Sequence, residues 1–126
     1  MGLPRLTQDG MSGDMNRLLA VAWLGAIAAC DRRPAIDPSD GRGVFEAYCA
    51  ICHGPDGKPS AMMIARLAVR DLTSSELRAR VSPALVEHQV RKGSDNKLMP
   101  AFEGAISDPE IKAVAAWVAS PEFLRR

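Results

Sequence analysis

The sequence C-A-I-C-H at residues 49–53 constrains this chain more than any other stretch. On a helix, residues at i, i+3 and i+4 lie on one face, so Cys49, Cys52 and His53 can all contact one flat group placed against that face. This spacing is the haem-attachment signature C-x-x-C-H. We expect the two thiols to bond covalently to the haem vinyl groups and the imidazole to bind the iron. Gly54 and Gly57 then end the helix in a turn.

A C-x-x-C pair also occurs in thioredoxin-like redox sites and as half of a zinc site. Neither alternative agrees with the rest of the chain. No β-α-β pattern surrounds the pair, and the remaining cysteine, Cys30, lies where the leader described below is expected to be cleaved. Covalent haem c, bound through Cys49 and Cys52, is therefore the favoured prediction.

The size and composition of the chain bear on the same prediction. Its 126 residues make one domain at most, and after residue 29 the apolar side chains are mostly alanine, valine and leucine, with few aromatics. Such a chain can bury only a modest core, and a haem would add the missing apolar mass. The formal net charge of +1 argues against nucleic acid as a partner.

Residues 1–29 are predicted to be a leader with a lipoprotein-type signal peptide. Arg17 precedes an apolar run at 18–29, which is shorter than the roughly 20 residues that a membrane span needs. The run ends in I-A-A-C, which resembles the lipobox of bacterial lipoproteins, whose cysteine is acylated and becomes the N-terminus. This predicts a lipid anchor on Cys30, a tether at 30–38 and a periplasmic protein held at the membrane. An ordinary signal peptide with an incidental cysteine is the alternative.

Asp31, directly after the predicted anchor, resembles the residue that keeps lipoproteins on the inner membrane in some bacteria. The inner membrane is therefore the expected location.

The remaining chain shows helical periodicity and capping signals and no alternation typical of a strand, which predicts an all-α fold. The first helix is expected to begin near Asp37 or Ser39 and to run through His53. Gly41 and Gly43 lie inside it, where each costs about 1 kcal/mol against alanine. Both are therefore expected to permit close packing against a second helix.

Capping signals place the later helices. Thr73 and Glu76 form a capping box, so a helix is expected over 74–82, and the next helix is expected from Pro83 to Gly93. A second capping box, S-D-P-E at 107–110, begins the last helix, which ends before Pro121.

Residues 58–71 show no clean pattern. Met62, Met63 and their apolar neighbours are expected to form a short helical turn that packs on one face of the haem. Arg66 and Arg70 are candidates for contact with a haem propionate, although a solvated surface role is favoured for both.

From about residue 37 to residue 120, these features resemble the small bacterial class I c-type cytochromes. The residues that carry the resemblance are Gly41, Phe45, the C-A-I-C-H motif with Gly54 and Gly57, Gly93, Met99-Pro100 and Trp117. The resemblance implies a cytochrome c-like domain over 39–122, with short helices and loops wrapping one covalent haem. It also implies that the first and last helices cross, with Gly41 and Phe45 against Val114 and Trp117, and that the protein is an electron carrier and not an enzyme.

The second axial ligand of the iron has four candidates. The methionines at 62–63 follow the motif histidine by only nine and ten residues, and their ordinary role is core packing. His88 lies in mid-helix between apolar residues. Met99 lies in a loop between two helices, followed by Pro100, which fixes φ. Met99 also matches the family in chain order, so His53 and Met99 are the predicted iron ligands.

Three functions remain open. The first is a membrane-tethered carrier that docks on redox protein donors and acceptors, with Lys58 and Lys97 as candidate charges beside the haem edge, unless they are ordinary solvated lysines. The second is a fixed subunit of a larger respiratory or dehydrogenase complex. The third, a haem gas sensor or peroxidase, requires an open iron site, which two axial protein ligands would close.

Overall fold

The computed structural model describes residues 35–125. In this range the helices are α1 Gly41–Tyr48, α2 Ala50–His53, α3 Ala61–Leu67, α4 Ser75–Arg78, α5 Pro83–Lys92, α6 Asp108–Ala119 and a final 3₁₀ helix, Pro121–Leu124. No β-strand occurs among the described residues, which contain only an isolated bridge between Glu103 and Ile106. The all-α prediction is confirmed. The predicted leader and Cys30 lie outside the described residues.

None of the helices between residues 35 and 125 has the length and apolar character needed to cross a bilayer.

Helices α1 and α6 approach each other closely at Gly41. A Cβ atom at this position would collide with the carbonyl oxygen of Ala113 and would lie 2.7 Å from the Cβ of Trp117. Only a glycine permits this approach of the two backbones, as predicted. At Gly43 the nearest atoms to such a Cβ belong instead to the Asp40 carboxylate, at 2.7 Å. The prediction that Gly43 also packs against the second helix is therefore wrong.

The core lies between α1, α6 and the 3₁₀ helix. Its central cluster consists of five buried side chains: Val44, Phe45, Val114, Val118 and Phe123. The Phe123 ring meets Phe45 edge-on, with ring centroids 5.2 Å apart, and Trp117 with centroids 6.3 Å apart. Edge-to-face pairs of this kind contribute about 0.5–1.5 kcal/mol each beyond their burial. Phe123 is 1% exposed, so the core includes a residue just after the predicted domain end at 122.

The start of α1 differs from the prediction. The helix begins at Gly41 because Asp40 caps it, with a carboxylate that accepts a hydrogen bond from the Gly43 amide at 3.0 Å. Asp37 and Ser39, the predicted caps, instead bond to each other in the preceding turn, where the Ser39 hydroxyl donates to the Asp37 carboxylate at 2.7 Å. The start lies two to four residues later because the carboxylate nearest the first free amides makes the cap.

The capping box predicted at Thr73 is also wrong. The hydroxyl of Ser74 caps α4 by accepting from the Leu77 amide at 3.4 Å. The hydroxyl of Thr73 donates to Asp71 at 2.7 Å instead. The helix covers only Ser75–Arg78 and not the whole of 74–82, because the Arg80 amide donates to the Leu77 carbonyl, three residues before it, and so breaks the four-residue spacing of an α-helix.

The predictions for α5 and α6 are confirmed. Ser82 caps α5, with its hydroxyl 3.2 Å from the Leu85 amide, and Gly93 follows the last residue at φ 71°. α6 begins with the predicted capping box, in which the Ser107 amide donates to the Glu110 carboxylate at 2.8 Å. α6 packs against both α5 and α1.

The C-terminal end of α6 is closed from a distant part of the chain. The guanidinium of Arg78 donates to the carbonyls of Val118, Ala119 and Ser120 at 2.7, 3.3 and 3.0 Å. It also lies over the Phe123 ring, 5.7 Å from the centroid. Carbonyls that have no partner within the helix thus receive a charged donor, and α4 is fastened to the core.

Candidate functional site

The motif residues occupy the junction of α1 and α2. The structure divides the single predicted helix at Cys49, whose φ is −108° and whose amide still donates to the Phe45 carbonyl at 2.9 Å. The amides of Cys52 and His53 donate in turn to the Cys49 carbonyl at 3.1 and 3.0 Å. The helical turn therefore persists through the division, and the three functional side chains keep their i, i+3, i+4 relation.

The turn after the motif depends on two glycines with positive φ, Gly54 at 77° and Gly57 at 80°. A Cβ atom at Gly57 would lie 2.6 Å from the Phe123 ring. The Gly57 carbonyl also accepts a hydrogen bond from the Leu72 amide at 2.9 Å. The predicted turn is confirmed, and it holds the motif against the core.

The His53 ring is oriented by the backbone of Arg70. Its Nδ1 lies 3.3 Å from the Arg70 carbonyl oxygen. Burial lowers the pKa of His53, and the bond to Arg70 opposes this only in part. A neutral imidazole with its proton on Nδ1, directed at this carbonyl, leaves the lone pair of Nε2 available to bind a metal. The sequence could not identify this contact, because every residue carries a backbone carbonyl and the residue type does not show which one lies beside the ring.

The surroundings of the Cys49 thiol do not favour redox exchange. Neither Cys49 nor Cys52 is in a disulfide, and both are partly buried. Burial, with a smaller effect of the neighbouring Cys52, raises the pKa of the Cys49 thiol to about 11. The reactive cysteine of an oxidoreductase has a lowered pKa instead. The described part of the chain also holds no group of three or more His, Cys, Asp or Glu that could bind a metal, so a zinc site lacks ligands there.

Met99 lies in the loop between α5 and α6, partly buried, as predicted. Its amide donates to the Ser94 hydroxyl at 2.9 Å, while its carbonyl accepts from the Ser94 amide at 3.0 Å. α5, which precedes this loop, and α1, which precedes the motif, both pack on α6.

The other candidates for the second axial position are placed differently. Met62 and Met63 lie on α3, which buries no residue, and Met62 is 59% exposed. The predicted helical turn is confirmed as a helix of seven residues. Its packing on one face of the haem stays a prediction. His88 is exposed on α5.

The remaining charged candidates, Lys58, Arg66, Arg70 and Lys97, are all exposed. The surface role favoured for the arginines agrees with this placement.

The surface of the described residues fits a large apolar cofactor. Apolar side chains that the protein leaves exposed, from 39% to 80%, are Ile51, Met62, Ile64, Leu85, Leu98 and Leu124. The largest value belongs to Ile51, between the two motif cysteines. An apolar side chain exposed to this degree between two thiols, with an imidazole directly after them, fits contact with a large apolar cofactor such as a haem.

Comparison with known proteins agrees with the site. Residues 37–118 match the protein family described as cytochrome C oxidase, cbb3-type, subunit III. Cytochrome c6 of Synechococcus sp. is 33% identical over 84 residues, covering 67% of this chain and 70% of that protein. Cytochrome c6 of Picosynechococcus sp. is 34% identical over 113 residues, covering 83% of this chain and 93% of that protein.

Two further matches are a subunit of a larger enzyme and a solved structure. The fructose dehydrogenase cytochrome subunit of Gluconobacter japonicus is 33% identical over 89 residues, which are 65% of this chain but only 18% of that protein. The solved structure of the KustC0563 c-type cytochrome superposes with a TM-score of 0.56 at 28% identity, covering 64% of this chain and 94% of that one. The cytochrome c-like fold is thereby confirmed.

The family match spans the C-A-I-C-H motif, the Met99 loop and most of α6. The cofactor of such proteins is haem c, held covalently, and the thiols and apolar surface described above fit it. The chain therefore belongs to the c-type cytochromes, within the family described as cytochrome c oxidase, cbb3-type, subunit III, and carries one covalent haem c.

Proposed function

We propose that this cytochrome shuttles single electrons between redox proteins in the periplasm, with its haem bonded to Cys49 and Cys52 and its iron bound by His53 and Met99. When bound, the haem supplies an iron that alternates between Fe(II) and Fe(III). The observation that carries the proposal is the orientation of His53, whose Nδ1 lies 3.3 Å from the Arg70 carbonyl. The ring is partly buried and neutral, and this orientation leaves the lone pair of Nε2 available to bind the iron.

The chain's own residues explain why a carrier is favoured over an enzyme. An imidazole and a thioether together occupy both axial positions, so no position remains for a substrate, and they raise the potential relative to harder ligands. His53 is held by a backbone carbonyl, and Met99 is held by backbone and hydroxyl bonds in its loop. Ligands fixed in this way keep one geometry in both oxidation states, which leaves little to reorganise when an electron moves.

The Met99 assignment is tested by spectroscopy of the oxidised, haem-loaded protein. The wild type should show the weak absorption band near the red end of the visible range that reports an iron–thioether bond, and M99A should lose it. Persistence of the band in M99A would assign the ligand to Met62 or Met63. Its absence from the wild type would point to His88.

Carbon monoxide separates a carrier from a gas sensor or peroxidase. The reduced wild type should not bind carbon monoxide, because both axial positions are filled, whereas reduced M99A should bind it. Rapid binding by the wild type would contradict the carrier and favour the sensor or peroxidase.

A fixed subunit of a larger complex is the second candidate function. It is supported by the description of the matched family as an oxidase subunit and by the similarity to a dehydrogenase cytochrome subunit. Size-exclusion chromatography of a native detergent extract distinguishes the two. A free carrier should elute at the size of the single chain in its detergent, and a stable large assembly would establish the subunit.

The lipid anchor and the location rest on the sequence. Acylation of Cys30 would hold the protein at the periplasmic side of the inner membrane, since two or more acyl chains anchor stably at about 0.8 kcal/mol per buried methylene. Cys30→Ser should release a haem-loaded protein into the periplasmic fraction. A wild type already found in that fraction would contradict the anchor, and its recovery with the outer membrane would contradict the inner-membrane location.

A further inference from the structure

We infer that Ser94 is the positioning residue of the sixth iron ligand: it closes a clamp on the backbone of Met99 that keeps the methionine in place. The inference rests on the proposed ligation by Met99 and deepens it. Nothing in the C-x-x-C-H motif or in the Met-Pro pair points to this serine, which lies five residues before the methionine.

Both backbone hydrogen-bonding groups of Met99 are bonded to this one residue. The Met99 amide donates to the Ser94 hydroxyl oxygen at 2.9 Å, and the Met99 carbonyl accepts from the Ser94 amide at 3.0 Å. Together the two bonds close a loop over residues 94–99 and fix the peptide on either side of the methionine Cα. The thioether side chain is thus the part of Met99 that stays free to bind a metal.

The hydroxyl of Ser94 is itself held in its accepting orientation. It donates to the side-chain oxygen of Asn96 at 2.6 Å, and that oxygen also accepts from the Leu98 amide at 3.1 Å. Between them, Lys97 adopts φ 61°, and its amide donates to the Ser94 carbonyl at 3.0 Å. Since a hydroxyl has only one proton, donation to Asn96 leaves its lone pairs for Met99.

The clamp is anchored to α5 through the residue before it. The Gly93 amide donates to the Gln89 carbonyl at 2.8 Å, and the Gln89 side chain donates to the Gly93 carbonyl at 2.6 Å. Gly93 has φ 71°, and a Cβ there would lie 2.5 Å from the Met99 carbonyl oxygen. The position of Met99 is therefore fixed relative to the end of α5, through Ser94 and the tight contact between Gly93 and Met99.

Loss of the clamp should show at the iron more than in global stability. For an external ligand to take the sixth position, Met99 must leave, and its loop must move away from Ser94. Removing the hydroxyl removes its bond to the Met99 amide, which only the closed loop makes, and the loss of that bond corresponds to about a fivefold increase in the open population. External imidazole should then bind oxidised S94A about fivefold more tightly than the wild type.

The experiment measures imidazole affinity, the iron–thioether absorption band and thermal unfolding of the haem-loaded protein. S82A is the matched control, because it removes a serine hydroxyl from a backbone amide at the other end of α5. S94T keeps the hydroxyl. We expect S94A to bind imidazole about fivefold more tightly with a weakened band, S94T to behave as the wild type, and S82A to lower the melting temperature with imidazole affinity unchanged.

Three results would overturn the inference. Equal imidazole affinity of S94A and wild type would show that the hydroxyl does not position Met99. An equal increase in S82A would show a general effect of lower stability. A wild type without the band would refute the ligation by Met99 itself. The other two results would leave that ligation intact and refute only the role of Ser94. If S94A loads no haem, N96A is the second variant: it keeps the Ser94 hydroxyl but removes the oxygen that orients it and that accepts from the Leu98 amide. N96A should show the same change in smaller measure, and wild-type behaviour of N96A would count against the clamp.

Discussion

Gly41→Ala tests how closely the first and last helices cross. The added methyl would collide with the carbonyl oxygen of Ala113 and lie 2.7 Å from the Cβ of Trp117. These are backbone and Cβ atoms of α6, which cannot rotate away as the end of a side chain can. Overpacking of this kind costs about 1–3 kcal/mol, and the obstacle places Gly41 at the upper end. Replacing a helical glycine returns at most about 1 kcal/mol, which leaves a net loss of about 2 kcal/mol.

Gly43→Ala is the matched control, two residues further along the same helix. There the methyl would meet the Asp40 carboxylate at 2.7 Å, which is the end of a side chain and can move. Its movement weakens the cap by up to about 1 kcal/mol, and the gain in helix propensity is of similar size. The two effects should nearly cancel, so the same substitution in one helix should have very different consequences.

Thermal unfolding of the haem-loaded proteins, followed by circular dichroism, measures the difference. A domain of 60–100 residues loses about 4–8 °C per kcal/mol, so G41A should melt about 8–16 °C below the wild type, and G43A close to it. If G41A melts with the wild type, or if G43A loses more than G41A, the close contact of the two backbones is not what stabilises the crossing.

Three further predictions concern stability and the cofactor. Arg78→Ala should lower the free energy of unfolding by about 2–3 kcal/mol in urea, because the carbonyls that end α6 lose a charged donor; an unchanged midpoint would contradict this. Hydrogen bonds from Thr73 lower the pKa of Asp71, so the ionised carboxylate stabilises the fold above pH 3.8, and this stabilisation is lost as the pH falls through the lower folded-state pKa. The unfolding free energies of the wild type and D71N should therefore converge in acid, and a constant difference between them down to the lowest pH would refute this prediction. Acid-acetone extraction should leave haem on the wild type and none on the variant lacking both Cys49 and Cys52, and free haem from the wild type would contradict the thioether bonds.

Features that depend on near neighbours could be predicted from the sequence alone. The C-A-I-C-H motif, the capping box of Ser107 with Glu110 and the helix ending at Gly93 all involve residues within one turn of each other. Their geometry follows from the helix itself, whatever the rest of the chain does. The crossing at Gly41 was also predicted from a glycine that is costly inside a helix, although the same argument failed at Gly43.

Local signals failed where several caps competed. Asp37, Ser39 and Asp40 all precede α1, and Thr73 and Ser74 both precede α4. Each is chemically able to cap a helix. Which residue caps the helix depends on the backbone angles that packing imposes, and the residue type alone does not determine these angles.

Only the tertiary structure identified the groups that hold the site. The carbonyl that orients His53 comes from Arg70, 17 residues away, and the guanidinium that closes α6 comes from Arg78, about 40 residues before the carbonyls it contacts. Phe123 enters the core from beyond the last predicted helix. A backbone carbonyl is present at every residue, and an arginine side chain can reach many of them. The sequence therefore supplies the donors and acceptors for the site. Only the fold, by bringing distant segments within hydrogen-bonding distance, selects which of them pair.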